Sequence, residues 1–210
     1  MPQAAAADTC LIVVDVQNDF MPGGALAVPR GDEVVPVING LAARFENVVL
    51  TQDWHPRGHA SFASSHPGTK PFEVIQLHYG EQVLWPDHCV QGTAGAAIHS
   101  RLDVQKAQLV IRKGHQRDID SYSAFLEADR KTATGLKGYL KERGIRQVFL
   151  CGLATDFCVA WTALDARAAG FETMVIEDAC RAIDLDDSLA RARKDLAAVG
   201  VRMVRSELLS

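Results

Sequence analysis

Short apolar runs, separated by turn residues, recur along the chain at residues 10–14, 48–51, 109–112, 148–151, 173–176 and 201–204. They are rich in Val, Ile and Leu and do not alternate with polar positions, which is the pattern of strands buried on both faces of a parallel sheet. Helical periodicity fills the intervals. Val34, Ile38, Leu41 and Phe45 share one face after Gly31, Asp32 and Glu33, with Pro36 early enough to be tolerated. Leu136, Tyr139 and Leu140 repeat before Gly144, a C-terminal cap. A third helix is predicted from Thr155 or Asp156 to Gly170, with a small inner face of Val159, Ala163 and Ala166. A fourth is predicted from about Asp186 to Val199, closed by Gly200. This alternation predicts an α/β fold: a three-layer α/β/α sandwich around a mostly parallel sheet of about six strands. The length of 210 residues fits a single domain over 1–210. Residues 54–100 break the rhythm with Gly, Pro, His and Ser, and a loop that long is usually functional. Its first part, residues 56–82, is a candidate lid.

Composition narrows the classes. Hydrophobic residues make up 48% and charged residues 23%, ordinary for a soluble globular protein. The net charge of −4 gives no support for a nucleic-acid partner. The longest apolar runs, LIVV and VVL, are too short to cross a bilayer, so no membrane partner is expected. The opening MPQAAAAD lacks the basic and apolar regions of a secretory signal, and a cytoplasmic location is expected. Cys10, Cys89, Cys151, Cys158 and Cys180 are odd in number, widely spaced and without a C-x-x-C pair. Neither a disulfide framework nor a zinc knuckle is expected. Cys10 and Cys151 lie in apolar runs and read as small buried hydrophobes.

Ligands of open parallel sheets bind beyond the carboxyl ends of the strands. Asp15 follows LIVV, Asp53 follows VVLTQ, Lys113 follows LVIR, and GLATDFC follows VFLC. Two acids, a base and a thiol are thereby delivered to one edge. With Thr155 as a cap, Cys158 sits at the third helical position, where unpaired N–H groups and the helix dipole favour a thiolate. Asp15 is then the general base and Lys113 the cation that holds the Asp15–Cys158 pair in its charged form. Taken singly, each has a plainer reading: a buried helical thiol, a turn acid, a surface lysine. A second cluster comprises Asp53 and His55, two apart and so on one side of an extended segment, with His59 and with His88 in WPDHCV. Asp and His suit Zn²⁺, Fe²⁺ or Mn²⁺, and three protein ligands leave positions open. His66, His78, His99 and His115 have no evident partner in the sequence.

DVQNDF, TQDWHP, WPDHCV, the lysine of RKG and GLATDFCV together resemble the nicotinamidases among the isochorismatase-like cysteine hydrolases, from Cys10 to about Asp178. The pair TQDWHP and WPDHCV marks the metal-binding branch. The resemblance implies an isochorismatase-like hydrolase fold and hydrolysis of nicotinamide, with pyrazinamide as a further substrate. It implies a triad of Asp15, Lys113 and Cys158, and one divalent transition metal, zinc first, on Asp53, His55 and His88. His59 matches a position that ligates directly in some relatives and through water, or not at all, in others. Phe20 and Trp85, with Tyr122, match the aromatic walls around the pyridine ring. Backbone N–H groups of Ala154 and Cys158 match an oxyanion hole, after a cis Leu153–Ala154 peptide. Three alternatives stay open: a metal-free amidase acting on carbamoyl or ureido groups, a vinyl-ether hydrolase without a cysteine nucleophile, and a catalytically idle scaffold. A homo-oligomer is compatible with the sequence and not dictated by it.

Overall fold

Each of the six apolar runs becomes a strand. The computed structural model describes residues 6–209, so the first five residues of MPQAAAAD and Ser210 lie outside the described residues. In chain order the elements are β1 (Thr9–Val14), α1 (Val34–Ala42), β2 (Asn47–Asp53), β3 (Val74–Leu77), β4 (Gly80–Val83), β5 (Leu109–Lys113), α2 (Leu136–Glu142), β6 (Gln147–Leu153), α3 (Ala160–Ala168), β7 (Glu172–Arg181), α4 (Ser188–Ala198) and β8 (Arg202–Val204). The six-stranded sheet has the order β5-β2-β1-β6-β7-β8, and every pairing in it is parallel. β1 and β2 are buried at every position, as continuous apolar runs require. β5 alternates instead, with Val110 43% exposed, because it lies at the sheet edge. Helices cover the sheet: α1 packs on β6 and β7, α3 on β7, and α4 beside α3.

The order places the site. From β1 the chain moves toward β2, whereas from β6 it moves toward β7, so the connections diverge between two adjacent strands. Crossovers of the usual hand then put α1 and α3 on opposite faces. A crevice opens beyond the carboxyl ends of β1 and β6, the switch point of an open α/β sheet. Asp15 leaves β1 there and Cys158 follows β6.

Helix ends follow simple chemistry. After α2, α3 and α4 the chain turns through Gly144, Gly170 and Gly200 at positive φ. The following amides, Ile145, Phe171 and Val201, donate back to Leu140, Ala166 and Leu196. These are Schellman closures, which need a residue without a Cβ penalty at the turn. Three expectations shift. α4 begins at Ser188 rather than near Asp186, because Asp186 and Asp187 both take left-handed φ. α3 is preceded by one π-helical turn, Thr155–Val159, whose N-cap is Ala154 with no side-chain cap, so Thr155 does not cap it. The loop of residues 54–100 contains the antiparallel hairpin β3–β4, whose half-exposed strands carry too little apolar signal to read as strands. Among the described residues no helix is long and apolar enough to cross a membrane.

Gly152 ties this frame to the site. Its φ is +114, and a Cβ there would lie 2.1 Å from the carbonyl oxygen of Val14. The β6–β7 register shifts beside it, between Leu150 and Gly152. Gly152→Ala has to displace the last residue of β1, next to Asp15. We expect it to lower stability by more than about 2 kcal/mol, as substitutions at special backbone positions do. Equal urea midpoints for variant and wild type would contradict this.

Candidate active site

Asp15 leaves β1 with φ +48, an uncommon conformation for a non-glycine residue. Thr51 of β2 holds it twice: Asp15 N–H donates to Thr51 Oγ1 (3.1 Å), and the Thr51 hydroxyl donates to Asp15 Oδ1 (2.5 Å). Asp15 Oδ2 lies 2.9 Å from Lys113 Nζ but makes no well-directed hydrogen bond, so that oxygen keeps acceptor capacity. Lys113 ends β5 with its ammonium fully buried. Nζ donates to Asp53 Oδ1 (2.8 Å), to the Ser121 carbonyl (3.0 Å) and toward Cys158 Sγ (3.5 Å). Burial opposes its charge, but Asp15 and Asp53 outweigh burial and hold Lys113 well above the usual lysine range.

The structure thus brings Asp15, Lys113 and Cys158 together. It corrects the expected ionisation of Cys158. Burial pushes the thiol well above the usual cysteine range; Lys113 opposes this, and the charges of Asp15 and Asp53 add to it. The predicted helix-start stabilisation is outweighed because two carboxylates crowd a closed site. Asp15 is itself raised, first by burial and also by Asp53, against Lys113 and Thr51. Burial thus disfavours the charged form of both groups between which a proton would pass. All five cysteines are free and buried, with Cys10 and Cys180 pushed up to about 12 by burial. Only Cys158 has a cation hydrogen-bonded to it among the described residues.

Asp53, His55 and His88 converge. Asp53 Oδ2 is 3.0 Å from His55 Nε2 and 3.4 Å from His88 Nε2. Each imidazole is oriented from behind: His55 Nδ1 by the Gly114 carbonyl (2.9 Å) and His88 Nδ1 by the Pro86 carbonyl (2.8 Å). A ring N–H given to a carbonyl frees the other nitrogen for a metal, the usual arrangement of metal-binding histidines. All three donors are buried and lie within 4.8 Å of one another. This donor set fits a divalent transition metal. Burial opposes the charge of Asp53, but His55 and Lys113 hold its carboxyl well below the usual range.

His59 stands apart from this trio. Its ring stacks on His55 at 4.2 Å. Nδ1 meets the Ser61 hydroxyl (2.7 Å) and Nε2 the Ile119 carbonyl (3.1 Å), so both nitrogens are engaged. Burial, then His55, lowers its pKa to about 4. It groups instead with His55 and Asp120 in a second cluster of donor atoms. His66, His78, His99 and His115 fall in neither cluster.

Between the thiol and the histidines lies a pocket lined by Phe20, Trp85, Tyr122, His88, Ala154 and Cys158. The Trp85 indole N–H donates to Tyr122 Oη (3.0 Å), which fixes both rings. The Leu153–Ala154 peptide is cis, as the resemblance implies, and brings Ala154 beside Cys158 at the pocket wall. Sequence reasoning missed Phe157, whose ring meets Trp85 edge-on at 4.9 Å, and also Leu26, Asp120 and Ile183. Phe157 carried a signal, an aromatic directly before Cys158 in GLATDFC. Asp120 and Ile183 carried none, because chain reversals far from any motif bring them in. Thr51 opens the TQDWHP motif, but its hold on Asp15 from the neighbouring strand was not read from the sequence. The link between the two clusters was missed as well. Asp53 gives one oxygen to Lys113 and the other to the histidines, so thiol and metal-type ligands share one network.

The comparisons agree with this geometry. Residues 9–207 match the model of the isochorismatase domain. A nicotinamidase of Acinetobacter baylyi is 60% identical over 201 residues, covering 95% of this chain and 94% of the relative. The solved nicotinamidase–pyrazinamidase of Acinetobacter baumanii superposes with a TM-score of 0.95 at 60% identity, over 96% of this chain and 98% of that one. The pyrazinamidase of Pyrococcus horikoshii, solved in complex with zinc, has a TM-score of 0.78 at 36% identity, over 94% and 99% of the two chains. This chain belongs to the isochorismatase family, among its nicotinamidases.

Proposed function

We propose that the chain hydrolyses nicotinamide to nicotinate and ammonia through a thioester on Cys158, and that it accepts pyrazinamide. One observation carries the reading: a buried Lys113 ammonium lies within 3.5 Å of Asp15, Asp53 and Cys158 at once, and Asp53 and Cys158 line an aromatic pocket. An amide carbon is a poor electrophile and needs a strong nucleophile, a proton carrier and oxyanion donors. Asp15 Oδ2 takes the thiol proton while Lys113 stabilises the sulfur anion as it forms. The sulfur attacks the carboxamide carbon, and the N–H groups of Ala154 and Cys158 receive the oxyanion. Asp15 returns the proton to the departing ammonia, which leaves the thioester. Asp15 then takes a proton from water, and the attack of that water on the thioester frees nicotinate and restores the thiol.

Phe20, Trp85 and Tyr122 supply the walls for a flat ring, and Phe157 extends them. Asp53, His55 and His88 would hold one divalent transition metal, zinc first and iron or manganese next, which supplies a Lewis acid for the pyridine nitrogen. The zinc complex of the Pyrococcus horikoshii relative supports that choice. His59 orders the back of His55. The three-donor site of Asp53, His55 and His88 favours this reading over a metal-free carbamoyl or ureido amidase.

Elemental analysis of the purified chain is expected to find about one divalent transition metal per chain, as the donor set implies. His88→Ala should lower that content and impair nicotinamide hydrolysis. Benzamide, which lacks the ring nitrogen, should show a kcat/KM at least about tenfold below that of nicotinamide, the effect of one lost polar contact. A metal-free protein that prefers a ureido substrate would sink the assignment and leave the fold intact.

A further inference from the structure

Glu127 is a buried carboxylate that the mechanism above does not use. It is 1% exposed and lies in the segment after the pocket loop of residues 120–122. Its Oε2 accepts the Gly114 N–H at 3.3 Å, while the nearby Ser121 hydroxyl donates to the Ser123 carbonyl at 3.1 Å. Oε1 has no hydrogen-bond partner, and the half-exposed imidazole of His115 is 4.0 Å away. The carboxylate therefore holds the backbone directly after the lysine. Gly114 follows Lys113 directly, and the Ser121 carbonyl accepts Lys113 Nζ. Gly114 also turns the other way. Its carbonyl orients His55 Nδ1, and its own φ of +62 brings the backbone so close that a Cβ would lie 2.5 Å from the His55 ring.

We propose that Glu127 is a positioning residue for both halves of the site. By accepting the Gly114 N–H, it fixes the Lys113–Gly114 peptide, and through the Gly114 turn both the carbonyl that aims His55 and the backbone that carries the Lys113 ammonium. This rests on the metal-assisted amidase reading and extends it to a residue two contacts away from the substrate. The contact needs an acceptor oxygen in place more than it needs a charge. Burial pushes the Glu127 carboxyl up from its usual value, so a neutral group is tolerated there. Groups behind metal-binding histidines commonly change metal affinity by about 10- to 100-fold when removed.

The variants separate acceptor from charge. Glu127→Gln keeps an oxygen at the same reach and removes the charge. Glu127→Asp keeps the charge and withdraws the oxygen by one methylene. Glu127→Ala removes both. Phe125→Leu is the control for loss of stability in the same segment, since Phe125 packs on Phe171 away from the pocket. Zinc affinity is read by competition with a chelating dye, and kcat and KM for nicotinamide are read on the zinc-loaded proteins. Glu127→Gln should match wild type within about threefold in zinc affinity and kcat. Glu127→Asp and Glu127→Ala should lose about tenfold or more in both, with KM changed less than kcat. Phe125→Leu should lower the melting temperature and leave zinc affinity unchanged. The proposal is overturned if Glu127→Asp and Glu127→Ala bind zinc as tightly as wild type. It is equally overturned if Glu127→Gln falls as far as Glu127→Ala, or if Phe125→Leu loses zinc affinity to the same extent. Wild-type protein that binds no zinc would overturn the metal-assisted reading itself, a result visible before any variant is made.

Discussion

Cys158→Ala is expected to fold as wild type does and to release ammonia from nicotinamide at least about 10³-fold more slowly, the scale seen when a nucleophile is removed. The fold should tolerate the change because alanine removes only the sulfur of a small side chain that borders the pocket. Its neighbours are Lys113, at 3.5 Å, and the pocket. The network that remains, Lys113 with Asp15 and Asp53, stays charge-paired without the thiol. An alkylating amide should label Cys158 before Cys10, Cys89, Cys151 or Cys180, none of which lines the pocket or shows a hydrogen bond from a cation among the described residues. The pH dependence follows from the directions at the site. Asp15 must be ionised to take the thiol proton, and burial raises its pKa. Activity should therefore climb with pH through a midpoint above the ordinary aspartate value of about 4. The thiol, raised well above its usual value, does not need to ionise beforehand, so no second rise near the ordinary cysteine value of about 8.5 is expected. Wild-type turnover in the alanine variant would remove Cys158 from the mechanism.

How much of this was legible depends on range. Strands such as Thr9–Val14 and Gln147–Leu153 are apolar throughout, and burial on both faces leaves no other reading for them. Asp15, Asp53, Lys113 and Cys158 were legible because a parallel sheet sends strand ends to one edge, so position along each strand already implies convergence. His55 and His88 were legible as residue types, while the order of their ligation geometry came from Gly114 and Pro86, whose carbonyls leave no trace in side-chain chemistry. The hairpin β3–β4 was not legible, since Val74 and Ile75 alternate weakly and its turn lacks a strong Gly-containing signal. The state of Cys158 was misjudged for a related reason. Helix position is local, but the state of Sγ is dominated by its burial, with Lys113, Asp15 and Asp53 acting on it from other strands. Glu127 was not legible at all. It follows a Leu in SAFLEAD and reads as surface, and only the fold turns it inward under Gly114.

Lys113→Ala is expected to damage stability and turnover together. It removes the one cation that two buried carboxylates share, Asp15 at 2.9 Å and Asp53 at 2.8 Å. Breaking a buried pair by removing one partner costs about 3–5 kcal/mol, because the remaining charge is left uncompensated. Here two are left, although a metal on Asp53 would offset part of the loss. The kcat should fall at least about 10²-fold, as when a group that stabilises developing charge is deleted, with KM changed less because Nζ faces the carboxylates and the sulfur. Lys113→Arg should not restore it, since a planar guanidinium cannot occupy the space of a fully buried ammonium with four close neighbours. The sign of the pH effect gives an independent check. In wild type the lysine's pKa is raised, so its contribution is whole below the unfolded value of about 10.4 and is lost only as pH rises through the folded value. In Lys113→Ala, Asp15 loses its main lowering influence and its already raised pKa rises further. A carboxyl raised above its unfolded value costs stability at neutral pH, and the cost disappears as pH falls through the folded value. The deficit of the variant against wild type, from urea unfolding, should therefore shrink as pH is lowered. A deficit that stays constant or widens toward acid would mean that Lys113 is held for packing, and a variant with unchanged kcat and a raised KM alone would reassign it to the substrate.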